Sequence, residues 1–305
     1  MTAARVLPYR RAICYSGFRD GQSPDLGRFP SKREIAEDLK LLAPYWDAIR
    51  LYACDLHAAR VLEVIDAMQL PFKVMLGAYI GAEVSNPNCP WGGEHADVVL
   101  RANKVANEQE IGRLIDWANR YAHIVDVVSA GNEATVDWTD HLVEPSSVVR
   151  YVQFIKASVL QPVTFCENYV PWTDQLEDLA AAVDVIAIHS YPVWESKSLE
   201  EAMAYTQANY SAVQEAYPDK QVIITEAGWT TASNGRGIDP GQVNENTQNR
   251  YLQALQAWAE QRQILVYVFE AFDENWKGSD HPLEPEKHWG IYRSDRTPKL
   301  AAQRG

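Results

Sequence analysis

The chain has 305 residues, a length that suits one α/β barrel better than one ordinary domain. It is 47% hydrophobic and 23% charged, which is globular, and no low-complexity tract interrupts it. The formal net charge of −13 argues against nucleic acid or an anionic membrane surface as partners, and leaves a neutral substrate such as a sugar fully compatible.

The apolar runs recur in chain order with helical segments between them. ICYSGFR at 13–19 reads as the first strand and AIRLYAC at 48–54 as the second. Between them, Ser31-Lys32-Arg33-Glu34 is a capping box, followed by Ile35, Leu39 and Leu42 on one face. FKVMLGAYI at 72–80 reads as the third strand, before an apolar helical stripe of Ile111, Leu114, Ile115 and Ala118. DVVSAGNE at 126–133 is the fourth strand, VTFCENY at 163–169 the fifth and VIAIHSYP at 185–192 the sixth. A second capping box starts at Ser198, before VIITEAGW at 222–229 as the seventh strand and ILVYVFEAF at 264–272 as the eighth. A last short helix is predicted to begin at Pro298, since proline favours the first helical turn.

The strand-like runs are apolar at consecutive positions, the pattern of parallel strands covered on both faces. Eight strands, each followed by a helix, predict a single (β/α)8 TIM barrel over 1–305, with 1–11 as an N-terminal extension. A doubly wound open sheet is the structural rival. It often carries a glycine-rich first turn, and Gly17-Phe18-Arg19-Asp20-Gly21 is not GxGxxG.

Cys14, Cys54, Cys89 and Cys166 have neither CxxC spacing nor nearby histidine clusters, so they read as buried free thiols and not as a zinc site. No apolar run approaches the roughly 20 residues that span a bilayer. MTAARVLPYRR lacks the apolar core of a signal peptide, so a native Met1 would mean no export by that route. If the native N-terminus lies upstream, that argument lapses and a periplasmic or extracellular protein stays compatible. The expected oligomeric state is a monomer.

In a parallel barrel the carboxyl ends of the strands share one rim, where catalysis sits. Two predicted strands end there in glutamate: Glu133 on the fourth and Glu226 on the seventh. Carboxyls about 5 Å apart suit retaining glycoside hydrolysis, one as nucleophile and the other as acid and then base. The neighbours fit a sugar site. Asn132 can hold a hydroxyl beside Glu133, and Trp229 can floor the same subsite. His189 and Tyr191 end the sixth strand, with the Tyr191 hydroxyl placed to orient the nucleophile. Arg50 and Tyr52 lie toward the end of the second, where Arg50 would keep Glu226 ionised. Glu270, Asp273, Glu274 and Lys277 cluster at the end of the eighth.

Ten tryptophans sharpen the substrate. Trp46, Trp117 and Trp258 fall in or at the ends of helices and read as packing. Trp91, Trp138, Trp172, Trp194, Trp229, Trp276 and Trp289 all follow strand ends. Aromatic faces on a rim stack against the C–H faces of pyranose rings, so these read as a sugar cleft, with Trp138, Trp172 and Trp276 as further substrate contacts.

Several segments resemble glycoside hydrolase family 17, the β-1,3-glucanase family. SAGNEA at 129–134 resembles its acid/base segment and ITEAGWTT at 224–231 its nucleophile segment. FEAFDENWKG at 269–278 resembles the strand-eight segment of the bacterial and fungal branch, HWGIY at 288–292 the segment after it, and YSGFRDGQSPD at 15–25 the opening strand and loop of bacterial members, so the likeness spans nearly the whole chain. FEAFDENWKG departs from the plant branch, whose cleft details do not transfer. The resemblance implies a (β/α)8 barrel, retention of configuration, action on β-1,3-glucan and no cofactor or metal. It makes Glu133 the acid/base and Glu226 the nucleophile, with Tyr191, Asn132, Glu270 and Lys277 as partners.

The nearest rival is a β-1,3-glucanosyltransferase using the same residues, with a glucan hydroxyl in place of water. A non-catalytic glucan-binding barrel would be expected to lack one carboxylate. A phosphate-binding barrel enzyme has one hint, Asn234-Gly235-Arg236-Gly237 after the seventh strand, but no strand-end lysine or metal triad beside it.

Overall fold

The computed structural model describes residues 7–303. Eight parallel strands close on one another in sequence order, β8 pairing with β1. They are β1 Arg11–Cys14, β2 Ala48–Leu51, β3 Lys73–Gly77, β4 Val125–Asn132, β5 Val163–Asn168, β6 Val185–His189, β7 Gln221–Gly228 and β8 Val266–Phe269. The helices are α1 Lys32–Leu42, α2 Leu56–Met68, α3 Asp97–Arg120, α4 Pro145–Lys156, α5 Tyr169–Asp174, α6 Glu177–Ala182, α7 Leu199–Ala216 and α8 Glu245–Arg262. The expected TIM barrel is therefore borne out, and closure excludes the open doubly wound sheet.

The strands are buried on both faces, which is why their sequences run apolar without alternation. Both predicted capping boxes form: Ser31 and Glu34 start α1, Ser198 and Glu201 start α7. Each satisfies backbone N–H groups that a helix start leaves open. Ile111, Leu114 and Ala118 are the buried stripe of α3. Gly228 lets β7 and β8 approach, since a Cβ there would lie 2.1 Å from the Phe269 carbonyl oxygen.

The observed strands stop short of several predicted ends. β1 ends at Cys14 and β3 at Gly77, yet Tyr15, Ala78 and Ile80 beyond them remain buried. Rim loops tucked over the barrel mouth carry the same apolar signal as strands. Two short helices, α5 and α6, follow β5. No α-helix follows β8 among the described residues. The predicted helix at Pro298 is instead one 3-10 turn at Leu300–Ala302, because Pro298 is extended in a bridge with Tyr292. Of the expected N-terminal extension, residues 1–6 lie outside the described residues. The rest is docked: Leu7 is buried and its N–H donates to Gln221 Oε1 at 2.8 Å, while Arg11 already belongs to β1.

Candidate active site

Three irregularities in strand register sit toward the carboxyl ends of the barrel. The first lies between β4 and β5 at Ser129/Asn132, the second between β6 and β7 at Ile188/His189, and the third between β7 and β8 at Ile224/Ala227, around Glu226. Such bulges re-aim side chains. The first precedes Glu133, whose N–H donates to the Cys166 carbonyl at 2.9 Å and whose backbone is left-handed at φ 44°. That conformation is uncommon for a non-glycine residue and is tolerated where surrounding structure fixes it. The second brings His189 beside Glu226.

These residues converge inside the barrel mouth. Arg50 is buried and donates from one guanidinium nitrogen to Glu226 Oε1 at 2.6 Å and to the Thr225 carbonyl at 3.0 Å. Its other terminal nitrogen donates to Asn132 Oδ1. The Tyr191 hydroxyl donates to Glu226 Oε2. His189 Nδ1 lies 2.8 Å from Glu133 Oε1 and 3.6 Å from Glu226 Oε2. One donor atom each from Glu133, His189 and Glu226 lies within 4.8 Å of the others. The two carboxylates are thus at the short spacing of a retaining pair.

The electrostatics hold Glu226 as the anion. Burial opposes ionisation of Glu226 most strongly, but His189, Arg50 and the Tyr191 hydroxyl prevail and hold it below the usual carboxylate range. Burial likewise opposes charge on His189, yet Glu226 and Glu133 push the imidazole up to about 10. The same three groups are also the one set of carboxylates and imidazole among the described residues close enough to share a cation. Arg50 already pairs with Glu226, and a dication would have to sit beside that guanidinium. The donor set therefore suits a proton-transfer pair better than a metal centre.

A cavity of about 1230 Å³ opens over this cluster, lined by Asn132, Glu133, Tyr191 and Glu226 at its floor. Tyr52 lines it too, with the Arg50 guanidinium 4.4 Å from its ring centre. Arg50 and His189 lie below as support. Among the rim tryptophans, Trp91, Trp138, Trp194, Trp276 and Trp289 line the cavity.

Trp172 and Trp229 do not line it, which corrects the expectation for both. Trp172 is wholly buried, with its indole N–H donating to the Ala187 carbonyl at 3.0 Å. Trp229 is wholly buried against Tyr251 of α8, ring centres 5.5 Å apart. Period-two geometry turns the residue three beyond Glu226 away from the mouth. Trp46, between α1 and β2, is buried, and Trp117 of α3 and Trp258 of α8 pack partly against the core, as expected of packing tryptophans.

The strand-eight carboxylates also differ from expectation. Glu270 is buried and ion-paired with Lys277 at 2.9 Å, and Lys277 pairs with Glu274 as well. Lys277 lines the cavity, whereas Glu270 acts through it. Asp273 lies outside the cleft, bound to Lys299 at 2.7 Å and to the Gly290 N–H at 2.9 Å. Its own N–H donates to the Tyr292 carbonyl at 2.9 Å, tying it to the segment that returns at 288–292.

Three contributors escaped the sequence. Glu167, at the end of β5, is buried and accepts from the Thr135 N–H and hydroxyl at 3.0 and 2.7 Å, bracing the turn after Glu133. Burial, with Glu133 adding, pushes it up to about 7. His141 Nε2 lies 3.0 Å from the Asn132 carbonyl and Nδ1 2.7 Å from Asp140. Phe18 lines the cavity opposite, meeting Trp276 edge-on at 5.9 Å. Only Glu167 had a visible signal, a carboxylate at a strand end.

With this geometry in place, known proteins give the context. The family model for the BtgE/BtgC glycoside hydrolase domain matches residues 12–290. The chain belongs to the BtgE/BtgC glycoside hydrolase domain family. The family 17 resemblance of its motifs is borne out with it. This BtgE/BtgC domain is 23% identical over 305 aligned residues to a glucan 1,3-beta-glucosidase of Arthroderma benhamiae, covering 94% of this chain and 89% of that protein. It is 26% identical to a putative glucan endo-1,3-beta-glucosidase btgC of Aspergillus niger, covering 88% of this chain but only 40% of that longer one. In fold it resembles an endo-laminarinase from Formosa Hel1_33_131, with a TM-score of 0.82, 24% identity, and coverage of 97% and 86%. It also resembles a glycoside hydrolase family 17 β-1,3-glucanosyltransferase from Rhizomucor miehei, with a TM-score of 0.73, 21% identity and 95% coverage of each chain.

Proposed function

We propose that this BtgE/BtgC domain hydrolyses internal β-1,3-glucosidic bonds of a laminarin-like glucan with retention. The observation that carries this is the Glu133–His189–Glu226 cluster, its donor atoms within 4.8 Å, on the floor of a tryptophan-lined cleft. The names of its relatives, glucan 1,3-beta-glucosidase and endo-laminarinase, support the substrate.

Glu226, kept ionised by Arg50 and Tyr191, attacks the anomeric carbon. Glu133 gives its proton to the departing glycosidic oxygen, leaving a glucosyl ester on Glu226. Glu133, now a carboxylate, takes a proton from water as that water attacks the ester, and both acids return to their starting states. Tyr52, Trp138, Trp276 and Lys277 are the substrate contacts in this reading, and the catalytic unit is a single barrel acting as a monomer.

The second reading is glucanosyl transfer, favoured by the aromatic and amide groups on the β4–β6 side of the cleft, Trp138, Asn168, Trp194 and Tyr205. A second glucan held there would replace water. Time-resolved product analysis on linear laminari-oligosaccharides separates the two. Shorter products only support hydrolysis; products longer than the substrate support transfer; no turnover overturns both.

A further inference from the structure

The loop after β3, residues 78–96, crosses the barrel mouth. Its foot rests on the β4–α4 loop: Asn86 Nδ2 donates to the Asp137 and Thr139 carbonyls, each at 2.7 Å, and His95 Nε2 lies 2.7 Å from the Asp140 carbonyl. Its tip is Trp91, 57% exposed, whose ring centre lies 5.8 Å from the Arg236 guanidinium. Arg236 belongs to the loop after β7. In a closed barrel of eight, β3 and β7 are four staves apart, so this contact joins opposite sides of the rim.

The far side of the contact is firmly built. Arg236 lies 4.9 Å from the Trp194 ring centre and pairs with buried Glu284 at 2.6 Å. Trp194 packs on Trp289, and Gly237 lies so close beneath it that a Cβ would come within 2.4 Å of the indole. The near side rests on one exposed cation–π contact, weak enough to open.

A chord from β3 to β7 leaves the β8, β1 and β2 loops on one side and the β4, β5 and β6 loops on the other. The cavity has lining on both sides: Phe18 and Trp276 on the first, Asn168 and Tyr205 on the second. Trp91 and Arg236 line the same cavity.

We propose that the Trp91–Arg236 contact is a clasp across the cleft that selects linear glucan chains entering by an end, and hinders lateral entry of branched segments. This rests on the β-1,3-glucan reading above. A chain running between the two sides passes beneath the clasp, and a β-1,6-linked side residue on it would have to part the Trp91–Arg236 contact to enter.

The test has two arms. First, W91C/R236C is treated with a short bismaleimide and the bridged peptide is mapped by mass. Bridging at these two positions supports the clasp, and its absence overturns it. Second, kcat/KM is compared for linear laminari-oligosaccharides and for β-1,6-branched laminarin. The wild type is expected to prefer the linear chains at least tenfold, with W91A and R236Q each narrowing that ratio severalfold. An unchanged ratio in both variants overturns the selection role. If the bridge forms but wild type cleaves no β-1,3-glucan, the functional reading fails and the selection claim with it, while the clasp stands.

Discussion

His189 Nδ1 stands 2.8 Å from Glu133 Oε1 while also facing Glu226 Oε2 at 3.6 Å, so one buried imidazole touches both acids. It belongs to neither of their strands. β6 supplies it between β4 and β7, and the register shift beside it sets its reach.

The imidazole gives the fold a pH signature. Its pKa rises to about 10 in the folded protein, against about 6.5 unfolded. Its contribution is therefore fully present below pH about 6.5 and is lost as pH rises toward about 10. Each pH unit of that window is worth at most about 1.4 kcal/mol. Denaturant melts from pH 6 to 10 should show stability falling, and His189→Asn should flatten the slope. An equal slope in the variant would remove His189 as its source.

Glu226 carries the opposite sign. Its pKa is held below the usual range with burial opposing and His189 and Arg50 prevailing. Its ionised form should persist to mildly acid pH and disappear only as pH falls through that lowered value. Arg50→Met should move the acid limb of kcat/KM upward by about one unit or more, since a buried carboxylate loses its cation. An unmoved limb would show that Arg50 does not set this ionisation.

Glu226→Ala should lower turnover on the order of 10⁴-fold or more while glucan binding survives, as expected when a nucleophile is removed. Glu133→Gln should be far less damaging on an aryl glucoside with a good leaving group, which needs no acid, than on glucan. Equal losses on both substrates would take the acid role from Glu133.

Two tryptophans that look alike in sequence should part company. Trp172→Ala removes a wholly buried indole and should cost about 3–5 kcal/mol of stability, read by thermal melting. Trp138 is 41% exposed in the cleft, so Trp138→Ala should leave the melt nearly unchanged and raise KM for glucan severalfold. A reversed pattern would contradict the placement of both.

The contrast shows what the sequence could carry. Continuous apolar runs such as VIAIH and VYVF announce buried parallel strands, and capping residues such as Ser31 announce helix starts, because both signals are local. Strand-end carboxylates mark the rim, so Glu133 and Glu226 were legible. Which rim group faces the cleft depends on packing between loops distant in sequence. Trp229 turned under α8, Asp273 was claimed by Lys299 from 26 residues away, and His141 reached back to Asn132. No spacing in one chain encodes those meetings.

All four cysteines are free and buried, with Cys14 Sγ 3.4 Å from the Thr225 carbonyl and Cys54 Sγ 3.5 Å from that of Gly77. Nothing covalent ties one stave to another. Cys14 and Cys166 belong to β1 and β5, on opposite walls, so their alkylation should keep time with the parting of the staves. The protein thus carries its own clock for opening, readable by mass with no dye, tag or substrate.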